Sequence, residues 1–262
     1  MSALAAPRSY RSFGAILWRD VFVTAAELPV AIAQMVLQPF LLMFVFGRIL
    51  AELGYTRPGY LSVLVPGVIT ISVVITSMES TALSLVIDFG VTREVEDRLL
   101  APLPVWLVGI EKIVYAAMRA LVAGLVMVPV ALLVVPDWSP DLRGVPLAVG
   151  FAVLGALAGA AIGLTLGTLV KPSRISVMFV VVLTPLLFTG CGQYPWVALA
   201  PVRWFQILTL ANPMTYASEG MRAALAPGVP HLAPGLAAGL LAVSLAVFVV
   251  IGLRGFARRA TD

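Results

Sequence analysis

Two opposite charges lie inside long apolar stretches of this sequence, and chemistry would be sought there first. Glu79 falls in the run from Leu61 to Ile87, and Arg119 in the run from Val105 to Val135. Glu79 stands nine residues before Asp88 and Arg119 ten after Gly109, which at helical rise puts both roughly 14 Å from matching helix ends. A charge in hydrocarbon is costly, and pairing across adjacent antiparallel helices offsets both burials. The spacing therefore predicts a Glu79–Arg119 ion pair, either a lock between two helices or part of a translocation path.

The rest of the chain holds little that could catalyse. There is no GxxxxGK[ST] loop, no HExxH, no GxSxG and no Cys/His cluster. His231, the single histidine, lies between Pro230 and Pro234 and reads as a solvated loop residue. The single cysteine, Cys191, excludes an internal disulfide and reads as helix-end packing. No catalytic residue, no metal site and no cofactor of this chain's own are expected.

The elements that carry those charges follow from composition. Hydrophobic residues make up 61% of the chain and charged residues 11%, with a mean hydropathy of +1.04. A soluble domain would carry about a quarter of its residues charged, so lipid must be the solvent. The net charge of +4 fits basic loops against anionic lipid better than it fits nucleic acid.

A spanning helix needs about 20 apolar residues. Six segments qualify, at about 30–49, 61–87, 105–135, 145–170, 175–191 and 234–253, which predicts an all-α membrane protein with six transmembrane helices. Residues 8–27 set Tyr10, Phe13, Ile16, Leu17 and Val21 at helical spacing with Arg8, Arg11, Arg19 and Asp20 largely elsewhere, which predicts an amphipathic helix lying in the interface. With the amino terminus inside, the cytoplasmic segments hold eleven basic residues and the outer ones five, as positive-inside orientation requires. Both termini are then cytoplasmic, in a bacterial plasma membrane.

Three further patterns qualify these helices. Gly155, Gly159, Gly163 and Gly167 recur every fourth residue of the fourth segment, a strip against which another helix can pack closely, within the chain or in a second protomer. The second segment carries Ser62, Thr70, Ser72, Thr76, Ser77, Ser80, Thr81 and Ser84 beside Glu79, so it should face protein or a water-accessible cavity rather than lipid. Between the second and third segments, Arg93, Glu94, Glu96, Asp97 and Arg98 surround Leu99, Leu100, Leu103 and Trp106 in a short amphipathic helix ended by Pro102 and Pro104. Charge of both signs around a leucine face suits docking to a protein better than to lipid.

Residues 193–225 are too apolar for a free loop and too interrupted by Pro195, Pro201 and Pro213 to span. They read as two short helices dipping into the outer leaflet and returning, anchored at the interface by Tyr194, Trp196, Trp204 and Tyr216.

These two stretches on six spans resemble the ABC-2 family of ATP-binding-cassette transporter permeases, notably the branch of drug- and lipid-exporting subunits similar to daunorubicin-resistance permeases. The residues carrying the resemblance are Arg93-Glu94 through Leu99-Leu100-Ala101-Pro102 to Gly109 and Lys112, and the run Gly190, Tyr194-Pro195, Leu210-Ala211-Asn212-Pro213-Met214-Thr215-Tyr216, Glu219 and Arg222. The family often places Gly-Thr before Leu-Glu-Arg-Leu where Val95-Glu96-Asp97-Arg98 stands here.

The resemblance implies that residues 92–104 and the amino-terminal helix contact separate ABC ATPase subunits, two per transporter, which bind ATP and Mg. It implies a second permease subunit, identical or paralogous, and an extracellular re-entrant hairpin over 193–225. The leading expectation is the membrane subunit of an exporter of a hydrophobic or amphipathic substrate. Export of a polysaccharide or glycolipid is the nearest alternative. Ion-coupled secondary transport is a third, against which stands the lack of internal duplication.

Overall fold

The computed structural model describes residues 14, 17–20, 22, 28–56, 59–90, 104–135, 138–170 and 174–259, and those residues form helices without a strand. Helix α1 (Leu28–Met43) runs on through a wider π turn (Phe44–Ile49) into Leu50–Glu52. Then come α2 (Tyr60–Gly90), α3 (Val105–Val134), α4 (Val145–Leu169), α5 (Ile175–Thr189), α6 (Arg203–Thr209), α7 (Pro213–Leu225) and α8 (Pro234–Arg259). Proline stands in the first turn of α4 and of α7, where its missing N–H has no helical partner to lose.

Helix α2 is the axis of the bundle. Its 31 residues give about 46 Å of helix at 1.5 Å per residue. From Leu64 to Met78 every residue is buried, against α1, α3, α4 and α7. That burial answers the hydroxyl pattern read in the sequence. Thr70, Ser77 and Thr81 donate to the carbonyls of Pro66, Val74 and Ser77, so the helix absorbs their polarity itself. Helix α8, by contrast, presents Val243, Val247, Val250 and Ile251 outward, as a lipid-facing helix does.

Helices α2 and α4 pack closest, and glycine makes it possible. A Cβ on Gly159 would overlap the Val74 carbonyl and Ser77, and one on Gly163 would overlap the Met78 carbonyl. At Gly167 it would lie 2.9 Å from Leu85, whereas at Gly155 it would meet Val74 and Ala217 at an ordinary 3.4 Å. The strip therefore faces α2 of its own chain, with Gly159 and Gly163 at the tightest points.

Contacts along the bundle fix two ends. At one end Asp88 meets Lys112, Gly109 lies under Leu253 and Phe256, and Arg259 donates to the carbonyls of Gly167 and Val170. At the other, Asp141 N–H bonds the Leu225 carbonyl at 3.1 Å, and Trp138 is buried with Leu64 and Val135.

Among the described residues, five helical stretches are long and apolar enough to cross a membrane: Ile32–Glu52, Tyr60–Asp88, Val105–Val134, Leu142–Leu169 and Pro234–Arg259. The expected span at 175–191 is instead a 15-residue helix, about 22 Å long against a hydrocarbon core of about 30 Å. It stops at Thr189 because Gly190-Cys191-Gly192 turns the chain, with Cys191 at φ 52°. Yet Gly192 packs directly on Gly67 of α2, so the segment from Val170 runs from the Arg259 end well into the other half of the bundle.

Candidate functional site

A cavity of about 480 Å³ opens between α1, α2 and α3 in the half of the bundle that holds Asp88 and Lys112. Gln34 and Met35 line it from α1, Thr76, Glu79, Ser80 and Ser84 from α2, and Tyr115 and Arg119 from α3. Arg19 and Asp20 reach it from the amino-terminal segment. These side chains converge because α2 and α3 run antiparallel from the Asp88–Lys112 contact, so residues equally far from it share a level.

Lys112 anchors the inner edge. Its ammonium lies 2.8 Å from an Asp88 carboxylate oxygen and donates to Ser84 Oγ at 2.7 Å, with both charged side chains at most 8% exposed. Sequence reading used Asp88 as a helix end and placed Lys112 among the cytoplasmic basic residues and those carrying the family resemblance, without pairing the two.

Glu79 and Arg119 both reach the cavity, at the level their spacing predicts. They line it together, and no ion pair within 4 Å joins them. No hydrogen bond or salt bridge joins either to a described residue, and the Arg119 Nε is buried with no hydrogen-bond partner, while the Arg119 charge still acts on Glu79 through space. Glu79 also walls a second, apolar cavity of about 250 Å³ bounded by Gln38, Ile75 and the α5 residues Phe179, Leu183, Leu187 and Phe188.

A second polar centre ties the opposite end together. Glu219 and Arg222, one turn apart on α7, pair at 2.5 Å with both side chains fully buried. The Glu219 carboxylate also accepts from the backbone N–H of Trp196 at 2.9 Å and of Leu232 at 2.8 Å. Arg222 donates to the Cys191 carbonyl at 2.8 Å and more distantly to Val63. One pair thus joins α2, the turn after α5, the 3₁₀ turn Trp196–Leu199, α7 and the approach to α8.

The remaining residues of the hairpin hold its shape. Asn212 caps α7 through Met214 N–H and donates to Leu186 O and Thr189 Oγ1 of α5 at 2.8 and 2.9 Å. Pro213 follows as the first helical residue. Pro195 precedes the 3₁₀ turn, and Trp196 and Gln206 exchange side-chain bonds with each other's carbonyls at 3.1 Å. Tyr194 donates its hydroxyl to the Phe188 carbonyl, and burial pushes its pKa up to about 12, so it stays a donor at physiological pH. Trp204 is 71% exposed. Tyr216 departs from the expected interfacial anchor: it is buried, its hydroxyl bonded to Leu210 O at 2.5 Å, because α7 packs into the bundle against α2 and α4.

The residues expected to contact an ATPase, Arg93, Glu94, Glu96, Asp97, Arg98, Leu99 and Leu100, lie outside the described residues, as does most of the amino-terminal helix. Among the described residues no cluster of His, Cys, Asp and Glu could hold a metal.

The chain matches the family described as ABC-2 type transporter over residues 11–226. It is 30% identical over 198 residues to the inner membrane transport permease YadH of Escherichia coli strain K12, covering 72% of this chain and 74% of the relative. The permease of the same name from Shigella flexneri matches with the same identity and coverage.

Proposed function

Taking as premise that this chain belongs to the ABC-2 type transporter family, we propose that it is the membrane-spanning permease subunit of an ATP-driven exporter of a hydrophobic or amphipathic substrate. It hydrolyses no ATP. ATP and Mg are bound by two separate ABC ATPase subunits, which dock on residues 92–104 and the amino-terminal helix. A second permease subunit completes the pathway.

The observation that carries this reading is the charged cavity partway along a bundle of membrane-length helices, in a sequence without a nucleotide-binding loop. A polar cavity at that depth serves passage, and the energy for passage then comes from outside the chain. The basic residues at the Lys112 and Arg259 end support a cytoplasmic face there, with both termini cytoplasmic and the chain in the bacterial plasma membrane. The placement of Val170 beside Arg259 and of Gly192 beside Gly67, before and after α5 in the chain, supports a sixth crossing completed by the hairpin. The depth of Asn212, tied to Leu186 of α5, supports a hairpin that enters the outer leaflet and returns.

Co-expression with candidate ABC ATPases tests the reading. The expected result is a stable complex that hydrolyses ATP, and no hydrolysis by this chain alone. A chain that purifies without any ABC ATPase and transports in response to an ion gradient overturns it.

A further inference from the structure

Of the charges lining the α1/α2/α3 cavity, Asp88 and Lys112 neutralise each other, and Arg19 and Asp20 have interactions of their own. Glu79 and Arg119 are different, because each faces the cavity without a hydrogen bond or ion pair to a described residue. A guanidinium whose buried Nε–H is unmet and a half-buried carboxylate without a hydrogen bond are both costly at membrane depth. Were they only a lock between α2 and α3, closing into direct contact would remove that cost. The cavity they line instead fits a guest that carries both complementary charges.

We propose that this cavity binds a zwitterionic headgroup, an oxyanion taken by Arg119 and an ammonium taken by Glu79. Arg119 offers the fork of N–H donors that matches phosphate or carboxylate oxygens. Glu79, acceptor-only when ionised, suits an ammonium. The hydroxyls of Thr76 and Ser80 add polar lining between the two charges. The second cavity extends the argument, because Glu79 is a wall of both spaces. A head lodged in the polar cavity leaves an attached apolar chain beside Phe179, Leu183 and Leu187 of α5. An aminophospholipid of the inner leaflet and a free phosphoethanolamine-like solute share the headgroup chemistry.

The inference deepens the exporter reading by naming the headgroup recognised. Binding is measured on this chain without an ATPase, so its failure leaves the exporter reading standing.

The test uses the full-length chain in a neutral detergent. A short-chain fluorescent phosphatidylethanolamine is bound, then competed with unlabelled phosphatidylethanolamine, with phosphatidylglycerol of the same chains, and with free phosphoethanolamine. Phosphatidylethanolamine should compete roughly tenfold or more better than phosphatidylglycerol, the size expected for one hydrogen bond to a charge. Arg119→Gln should weaken phosphatidylethanolamine by a similar factor, and Glu79→Gln should abolish the preference over phosphatidylglycerol. Competition by free phosphoethanolamine assigns recognition to the head alone; competition by the lipid only adds the apolar cavity to the site. Equal binding of both lipids, no binding of either ligand, or variants that bind like the parent would overturn the proposal and leave a hydrated charge pair. Should a variant misfold, the parent chain decides the matter with a phosphatidylethanolamine photoreactive near its glycerol. Cross-links within residues 76–84 or 112–119 support the site, and cross-links only elsewhere exclude it.

Discussion

A fully buried ion pair fixes the end of the molecule opposite Lys112. Glu219 accepts from Arg222 and two backbone N–H groups, so both oxygens of that buried carboxylate are hydrogen-bonded. Breaking one partner of such a pair costs about 3–5 kcal/mol, because the other is left charged and buried. Glu219→Gln should therefore lower the thermal unfolding temperature in detergent markedly. Adding Arg222→Met should recover part of the loss, since no uncompensated charge remains; a double variant worse than the sum of singles contradicts the account. In the sequence both residues stood out only within the run that carries the family resemblance. The amides of Trp196 and Leu232 were invisible, because backbone donors carry no residue signature. Depth was legible for Glu79 and Arg119 as well, since helical rise alone sets it. Whether they pair directly or line a cavity depends on how α1 packs beside them, which no local spacing encodes.

Packing between α2 and α4 shows what periodicity can and cannot say about an element. The four-residue glycine period predicted a close approach, and the approach is to α2 of the same chain. The period could not rank its members, which depends on where the partner backbone crosses. Gly163 faces the Met78 carbonyl, a group that cannot rotate away, whereas Gly155 faces side-chain methyl groups at 3.4 Å. Gly163→Ala should destabilise by about 1–3 kcal/mol through overpacking, while Gly155→Ala should be near neutral. Unfolding midpoints of the two variants in one detergent check this, and equal effects contradict it. The hairpin offers a parallel case. Asn212 both caps α7 and ties it to α5, so Asn212→Ala should cost at least the ~1 kcal/mol of a lost cap. Accessibility of a cysteine placed at Ala211 should rise if the tie to α5 is lost, and stay unchanged if the cap alone matters. The apolar run of α5 continues through Cys191, while the helix ends two residues earlier because the backbone turns at Gly190.

At the scale of the molecule, composition alone separated lipid-facing from buried helices only coarsely. It found the membrane-length helices but not that α2 is enclosed while α8 shows its valines outward. The reason is that in lipid both faces can be apolar, so the usual inside-out contrast is lost; the hydroxyls of α2 were the surviving clue. On the proposed function, motion reaches this bundle from an ATPase through residues 92–104. Those residues directly precede α3 in the sequence, and α3 carries Lys112 and Arg119 into the cavity, so displacing them would act on the cavity walls. The direct test compares the parent with Glu96→Lys/Arg98→Glu, each co-expressed with the cognate ABC ATPase and reconstituted in liposomes. The account predicts equal membrane insertion, with the ATPase lost from the complex or its hydrolysis uncoupled from transport in the variant. A variant that keeps its ATPase and transports as the parent does would contradict it.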